Sequence, residues 1–460
     1  MHPPERTTSW TEAQAEQRLR SLELFGMRFG LDRMRRLMIA LGSPERCAQT
    51  VHVLGTNGKS STTRMTAAIL SSHGLRTGAY TSPHLISYRE RVLIDGCELD
   101  AGAFAAAVAR ASWAAERVNR TLDEDDHVTQ FELLTAASFW AMAEQDVDVA
   151  VVEAGLGGRY DATSVIDSPI AVLTNVGLEH TRWLGPTLSD IAEEKLAVVR
   201  PGGTLVLGAW LVAPALAVAE RLAGERGAQI VRVHEESPAV TLAAKGAFQR
   251  RNFALARAAA QAYLRGAGIE LDERAVVAAA AATEVPGRLQ VVGERPLIVL
   301  DGAHNPDAVA ALVQALPEVL DGRRTALVMG VLEDKDAASM LGELLGGACQ
   351  RAWFTAPPSS RALSPAALQS LARQLGFDTD AVVCEAHPER ALAAARRWAA
   401  ECPDERAVLA TGSIYLVGEL LRRLDDRTSS SSSSSSTTTT TSSASDALSA
   451  RRAASRGRIG

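Results

Sequence analysis

The stretch VHVLGTNGKSSTT, residues 51–63, decides the reading of the fold. It opens with β-branched residues, turns through a glycine loop that holds a lysine, and runs on into residues that suit a helix. Strand, glycine loop with Gly-Lys, then helix is the outline of a phosphate-binding loop. Gly55 and Gly58 let backbone N–H groups approach phosphate oxygens, and the N-terminus of the following helix adds its dipole. On this reading Lys59 sits on the β- and γ-phosphates, and the hydroxyl of Ser60 or Ser61 meets Mg2+. The spacing departs from the usual loop, which places four residues between its first glycine and Gly-Lys. Here only Thr56 and Asn57 intervene. The plainer alternative is a strand-to-helix turn with a surface lysine. The coincidence of glycine, lysine and hydroxyls at one junction argues against it.

The alternation continues on both sides of this stretch. The first 45 residues are helical in character. After the loop, helix SSTTRMTAAILSSHG leads to strand RTGAYTS, which stops at Pro83. Residues 101–120 are alanine-rich and helical, and DEDDH at 123–127 reads as a solvated acidic loop. Helix QFELLTAASFWAMAEQ, strand VDVAVVEAG, strand PIAVLTNVG, helix LSDIAEEKLAVV and strand GGTLVLG follow. This β-α-β order predicts a parallel sheet with crossover helices, and three strand ends fall on one edge. A second alternation starts near residue 296 with PLIVLDGA, TALVMGVL and AVLATGS, each followed by a helix. The expected fold class is α/β: a parallel-sheet ATPase domain with a phosphate-binding loop, then a smaller Rossmann-like α/β domain. The expected boundaries are 1–285, with a helical N-terminal segment, and 286–427, separated near EVPGRLQVVGERP. Residues 428–460 are Ser/Thr-rich, cannot bury a core, and are expected to be disordered.

A chain of 460 residues is too long for one compact core. Its 47% hydrophobic and 22% charged content is ordinary for a globular protein. A formal net charge of −6 gives no support for nucleic acid or an anionic membrane as the main partner. No apolar run has the length of a membrane span, and the start lacks a signal-peptide core. The five cysteines are scattered, without metal-ligand spacing. They are expected to be free thiols in a reducing cytoplasm.

Several further residues fall where chemistry gathers in open α/β sheets, outside the carboxyl ends of strands. Ser82, in TSPHL, offers a hydroxyl to a hard metal, or is part of a plain turn. Glu153 ends an apolar strand just before a glycine loop. A carboxylate there suits Mg2+, which takes one or two carboxylates plus phosphates and water; an N-cap or surface ion pair is the alternative. Asn175, Glu179 and His180 lie on the loop after the next strand. A neutral imidazole is a possible ligand, although Mg2+ prefers oxygen. Lys195 reads by itself as a paired lysine on a solvated helix face. Asp301 and His304, in DGAHNP, suit a ribose or phosphate contact, or an N-cap with His304 in its turn.

These motifs, in this order, resemble the folylpolyglutamate synthase and dihydrofolate synthase family, a branch of the Mur ligase superfamily. The matching stretches are GTNGK, TSPHL, TQFELLTAASF, VVEAGLGGRYDAT, TNVGLEHTRWLG, EEKLAVVRPGG, PGRLQ, DGAHNP and TGSIYLVGE, which span residues 51–419. The short glycine loop is typical of that superfamily, and TSPHL with DGAHNP is specific to its folate branch.

The resemblance implies an ATP-dependent ligase that adds L-glutamate to dihydropteroate, to folates, or to both. It implies ATP held by Gly55–Ser61, with Asn252, Arg288, Asp301 and His304 on the nucleotide side of the cleft. It implies two Mg2+ ions, with Ser60, Ser82, Glu153, His180 and Lys195 as ligands, Lys195 being carried as a carbamate. Lys59, His180 and Lys195 are the implied catalytic residues. Thr129, Phe131 and Asp161 fall in segments implied to line the pterin or folate pocket. A cytoplasmic monomer with small-molecule partners is expected. Two departures stand out: Ser60 replaces the family's usual glycine, and Ser164 replaces its usual asparagine. The rival readings are another Mur-type ligase and a regulatory ATPase without ligase activity.

Overall fold

The computed structural model describes residues 10–22, 30–234, 240–346 and 349–432. The alternation read from the sequence folds into two sheets. The first contains β1 (Gln49–Leu54), β2 (Thr77–Tyr80), β3 (Val92–Ile94), β4 (Cys97–Glu98), β5 (Val149–Glu153), β6 (Ile170–Leu173), β7 (Thr204–Gly208) and β8 (Gln229–Val233). Their order is β4-β3-β2-β5-β1-β6-β7-β8. The six strands from β2 to β8 run parallel, and the short pair β3 and β4 adds an antiparallel edge.

The central strands are continuous apolar runs because both faces are covered. Val149 and Val151 of β5 face one core, which includes Phe253 and Leu264 of the helix Ala247–Gly266. Ala150 and Val152 face the other, with Phe104 and Leu133 from the helices Ala101–Asn119 and Gln130–Glu144. Each fully buried valine or leucine of this kind contributes roughly 1.5–3 kcal/mol.

The second sheet contains β9 (Gln290–Glu294), β10 (Leu297–Leu300), β11 (Arg324–Met329), β12 (Cys349–Phe354), β13 (Val382–Cys384) and β14 (Arg406–Thr411). The order is β13-β12-β11-β14-β10-β9, parallel except for β9. Both sheets lie in one compact unit that extends to Leu420. The helix Ile414–Ser432 ends the described chain, so most of the segment expected to be disordered lies outside the described residues.

The acidic loop is less solvated than its composition suggests. Asp126 joins Glu132 in clasping the buried Arg33 guanidinium, at 3.1 and 3.2 Å. Among the described residues no helix is long and apolar enough to cross a membrane.

Candidate functional site

The carboxyl ends of β1, β5 and β6 lie side by side, because these strands are neighbours with matched parallel register. Their loops face the carboxyl ends of β10 and β11, and a cavity of about 340 Å3 lies between them. Thr56 to Ser61, Ser82, Glu153, His180, Asn252, Arg288, Asp301 and His304 all line it. The sequence-predicted residues are thus brought together, save five. Gly55 and Lys195 lie behind the wall; Thr129, Phe131 and Asp161 do not line the cavity.

The glycine loop is built by close approach. Gly55 has φ +148°, and a side chain there would collide with Thr174. Gly58 has φ +82° and sits against the Asn252 amide. Only glycine meets both demands cheaply. Gly58 also caps the helix Lys59–Ser72 without a side chain, so the first helical N–H groups stay open to an anion. The loop after β6 braces this turn. Asn175 Oδ1 accepts from the Thr56 and Asn57 N–H groups at 3.2 and 2.8 Å. Thr174 Oγ1 donates to the Asn57 carbonyl at 2.6 Å. Lys59 folds back over the loop, its Nζ 3.0 Å from the carbonyls of Gly55 and Thr56.

Glu153 is 1% exposed. Its Oε1 accepts from Ser60 Oγ and its Oε2 from the Ser82 N–H, both at 3.0 Å. It is Ser60, not Ser61, that reaches this carboxylate. Burial pushes the Glu153 pKa up, and Lys59 offsets only part of that effect. No ion pair reaches Glu153 among the described residues. A buried anion held by two neutral donors is suited to a hard cation. Among the described residues no three His, Cys, Asp or Glu side chains close into a metal-binding group. Oxygen donors from Ser60, Ser82 and Glu153, completed by phosphate and water, match the way Mg2+ is usually held.

Lys195 overturns the solvated-face reading. It is 4% exposed, and its Nζ donates to the Gly55 carbonyl at 2.9 Å. Burial, with Lys59 nearby, lowers its pKa to about 7. A lysine of that kind is present in substantial part as the neutral, nucleophilic amine near pH 7.

His304 and Glu179 meet across the cleft. His304 Nδ1 donates to the Gly302 carbonyl at 2.8 Å, leaving Nε2 toward Glu179 at 3.6 Å. Burial lowers the His304 pKa to about 4, so its imidazole is neutral at pH 7. Glu179 Oε1 accepts from Lys335 Nζ at 2.9 Å, with His180 Nε2 at 3.9 Å. His180 has φ +54°, a left-handed conformation, and lines the cavity. Burial holds its pKa down, which keeps the ring neutral. Asn57 and Asn305 form a second link, a reciprocal amide pair at 3.2 and 3.0 Å.

The remaining predicted residues shape loops. Asp301 accepts from the Leu289 and Ala303 N–H groups, both at 2.8 Å, and organises the DGAHNP turn. Thr129 caps the helix Gln130–Glu144 in a box with Glu132. Asp161 accepts from the Leu156 N–H at 2.7 Å and the Thr163 N–H at 3.0 Å, which closes the glycine loop after β5. Phe131 packs against Gly155, where any side chain would strike its ring. Ser164 donates to the Gly158 carbonyl at 2.5 Å inside the same loop. Lys335, Asn305 and the pairing of Glu179 escaped the sequence reading. Asn305 was visible within DGAHNP, whereas nothing local marks Lys335.

Residues 53–254 match the Mur ligase middle domain, and residues 287–414 match the Mur ligase glutamate ligase domain. The folylpolyglutamate synthase of Lacticaseibacillus casei is 33% identical over 84% of this chain and 92% of its own length. The dihydrofolate synthase/folylpolyglutamate synthase of Escherichia coli K12 is 31% identical over 86% and 92%. The Mycobacterium tuberculosis folylpolyglutamate synthase complexed with ADP superposes with a TM-score of 0.83, at 32% identity, over 90% of this chain and 98% of that one. The E. coli FolC complex with DHPP and ADP gives 0.79 at 29% identity, over 92% and 100%. With its short glycine loop, buried strand-end carboxylate and DGAHNP turn in one cleft, the chain belongs to the folylpolyglutamate synthase/dihydrofolate synthase family of Mur-type ligases.

Proposed function

We propose that the chain is an ATP-dependent ligase that joins L-glutamate to dihydropteroate, to folate (poly)glutamates, or to both. The observation that carries this reading is the cleft itself: an open phosphate loop and a buried, unpaired Glu153 on one wall, and the Arg288–His304 segment on the other. The ADP bound in similar chains supports a nucleotide at the phosphate loop.

The acceptor carboxylate attacks the γ-phosphorus of ATP, giving an acyl phosphate and ADP. The amino group of L-glutamate then attacks the acyl carbon, and phosphate leaves. The open amides of Lys59, Ser60 and Ser61 receive phosphate oxygens, and Lys59 exchanges its loop carbonyls for the terminal phosphates. Ser60, Ser82, Glu153 and His180 would hold Mg2+, which neutralises charge on the transferring group. Lys195, as a neutral amine, is suited to carbamate formation with CO2, which would make it an anionic ligand for a second ion. Asn252 and Arg288 take nucleotide-facing roles. Asp301 positions the turn that brings His304 to the site. Thr129, Phe131 and Asp161 support the acceptor pocket from behind. The unpaired cysteines are in keeping with a reducing, cytoplasmic setting.

The test is ADP release with ATP, Mg2+ and L-glutamate, using dihydropteroate or tetrahydrofolate as acceptor. Release should require glutamate and an acceptor, and Lys59→Ala should abolish it. Hydrolysis indifferent to both substrates would identify a regulatory ATPase instead.

A further inference from the structure

The helix that follows the phosphate loop carries a charge that the mechanism above leaves unused. Arg64 lies one turn beyond Ser60, on the same side of the helix Lys59–Ser72. With Ser60, Pro83, Glu90, Arg288 and Ile414 it lines a second, smaller cavity of about 40 Å3. Ser60, Pro83, Arg288 and Ile414 also line the main cavity, so the two adjoin.

Arg64 is partly buried, and burial lowers its pKa, with Glu90, Glu153 and Glu98 acting in the opposite sense from a distance. Among the described residues no hydrogen bond or ion pair engages its side chain. The neighbouring carboxylates are committed elsewhere. Glu90 accepts from the N–H groups of Leu85, Ile86 and Ser87 at 2.7, 2.6 and 2.6 Å. Glu153 is held by Ser60 and Ser82. A guanidinium has five donors and no acceptor, and withdrawing it from water without a partner is costly. Its planar fork matches a carboxylate.

The position narrows which carboxylate. The cavity lies beside the phosphate cavity, past Ser60, rather than within it. An acceptor that ends in glutamate carries two carboxylates close together: one is phosphorylated, and the other keeps its charge. Dihydropteroate carries only the one that reacts. We propose that Arg64 binds the non-reacting carboxylate of a glutamate-terminated acceptor, and so favours extension of folate tails over the first glutamylation of dihydropteroate. This inference rests on the ligase reading above and narrows its acceptor.

The experiment measures KM for tetrahydrofolate, dihydropteroate, L-glutamate and ATP in the wild type, Arg64→Met, Arg64→Gln and Arg64→Lys. In Arg64→Met the KM for tetrahydrofolate should rise about 10- to 100-fold, the cost of a charged hydrogen-bonded contact. The values for ATP, glutamate and dihydropteroate should hold. Arg64→Gln should behave like Arg64→Met, and Arg64→Lys should recover part of the loss, because it keeps charge without the fork. The thermal midpoint of Arg64→Met should not fall, since a desolvated charge has been removed. An unchanged KM for tetrahydrofolate, a rise for glutamate instead, or an equal rise for both acceptors would overturn the proposal. So would a wild type active on dihydropteroate alone. A wild type without glutamate-dependent ADP release on either acceptor would instead remove the ligase reading itself.

Discussion

Glu153 and Glu179 stand on the two loops that flank the phosphate loop in one cavity, and they have opposite electrostatics. Glu153 follows β5 and is held by a hydroxyl and a backbone N–H. Burial drives its pKa up. Glu179 follows β6, and burial works on it in the same direction, but the Lys335 ammonium, joined in acid by His304 and His180 when they take a proton, overrules burial and lowers its pKa to about 2. The difference lies in where the counter-charge comes from. Glu179 takes an ion-paired cation from the second sheet, whereas Glu153 has no ion pair among the described residues and only the charges of Lys59 and Arg288 at longer range. One carboxylate links the walls of the cleft; the other is left for what enters it.

The largest effect should come from removing the unpaired member. Glu153→Gln should lower glutamate-dependent ADP release by about 10³-fold, the scale of several kcal/mol of charge stabilisation. Its unfolding midpoint without ATP or Mg2+ should stay level or rise, because a desolvated anion is gone. Parallel activity and thermal-unfolding measurements check both halves. A variant that keeps full activity would mean that Glu153 holds nothing in the reaction.

The paired member should behave in the reverse way. The Glu179 and Lys335 side chains are only 12% and 11% exposed. Glu179→Gln leaves the Lys335 ammonium only the longer contact to the more exposed Asp334, at 3.6 Å, and should cost up to about 3 kcal/mol in denaturant unfolding. Replacing both, as Glu179→Gln with Lys335→Met, should recover much of that loss, since no lone charge remains. If the double variant is less stable than the single one, the pair is not what holds these groups in place.

This contrast also marks how far the sequence could be read. The phosphate loop was legible because its parts are local: a β-branched strand, two glycines and a lysine within eleven residues of chain. Glu153 was legible from a strand that ends at a glycine loop, and Asp301 and His304 for the same reason. The role of Lys195 was not, since helix periodicity does not say that its ammonium reaches back to Gly55. The cross-cleft pairs were invisible for a physical reason. Glu179 and Lys335 are 156 residues apart, and Asn57 and Asn305 are 248 apart. Only the register of two separate sheets brings them together. Nothing local in the sequence marks Arg64; only the fold sets a small cavity beside it.

A third prediction isolates burial from pairing. His52 of β1 is 1% exposed, and its Nε2 is 2.9 Å from Thr163 Oγ1. The Thr163 hydroxyl donates to Asp161, so the imidazole donates to Thr163 and stays neutral. Burial alone lowers the His52 pKa from 6.5 to about 4. Between those values the unfolded chain binds the proton and the folded chain does not, so acid favours unfolding. The loss should begin as pH falls below 6.5 and be complete near 4, reaching about 3 kcal/mol. Unfolding free energies at several pH values should show His52→Asn lacking that part of the acid slope. A variant with the same slope as the wild type would mean that other groups set it.

The smallest effect concerns the neutral link across the cleft. Asn57 and Asn305 exchange two amide hydrogen bonds, so this contact, unlike the Glu179 pair, carries no net charge and should be insensitive to salt. Asn305 also caps the helix Pro306–Leu320, its Oδ1 accepting from the Ala308 N–H at 2.8 Å. Replacing it by alanine would lose the cap and the link together. Asn305→Ser keeps an uncharged oxygen to cap the helix and removes the amide link to Asn57. That link should be worth about 1 kcal/mol. A cycle of Asn57→Ala, Asn305→Ser and the double variant should give a coupling of that size, unchanged between low and high salt. The same cycle on Glu179 and Lys335 should give a larger coupling that salt weakens only in part, because both groups are withdrawn from water. Equal couplings with equal salt dependence would erase the distinction between a charged and a neutral link. A coupling near zero at Asn57–Asn305 would leave Glu179–Lys335 as the stronger tie between the two walls, and would make Asn305 a helix cap alone.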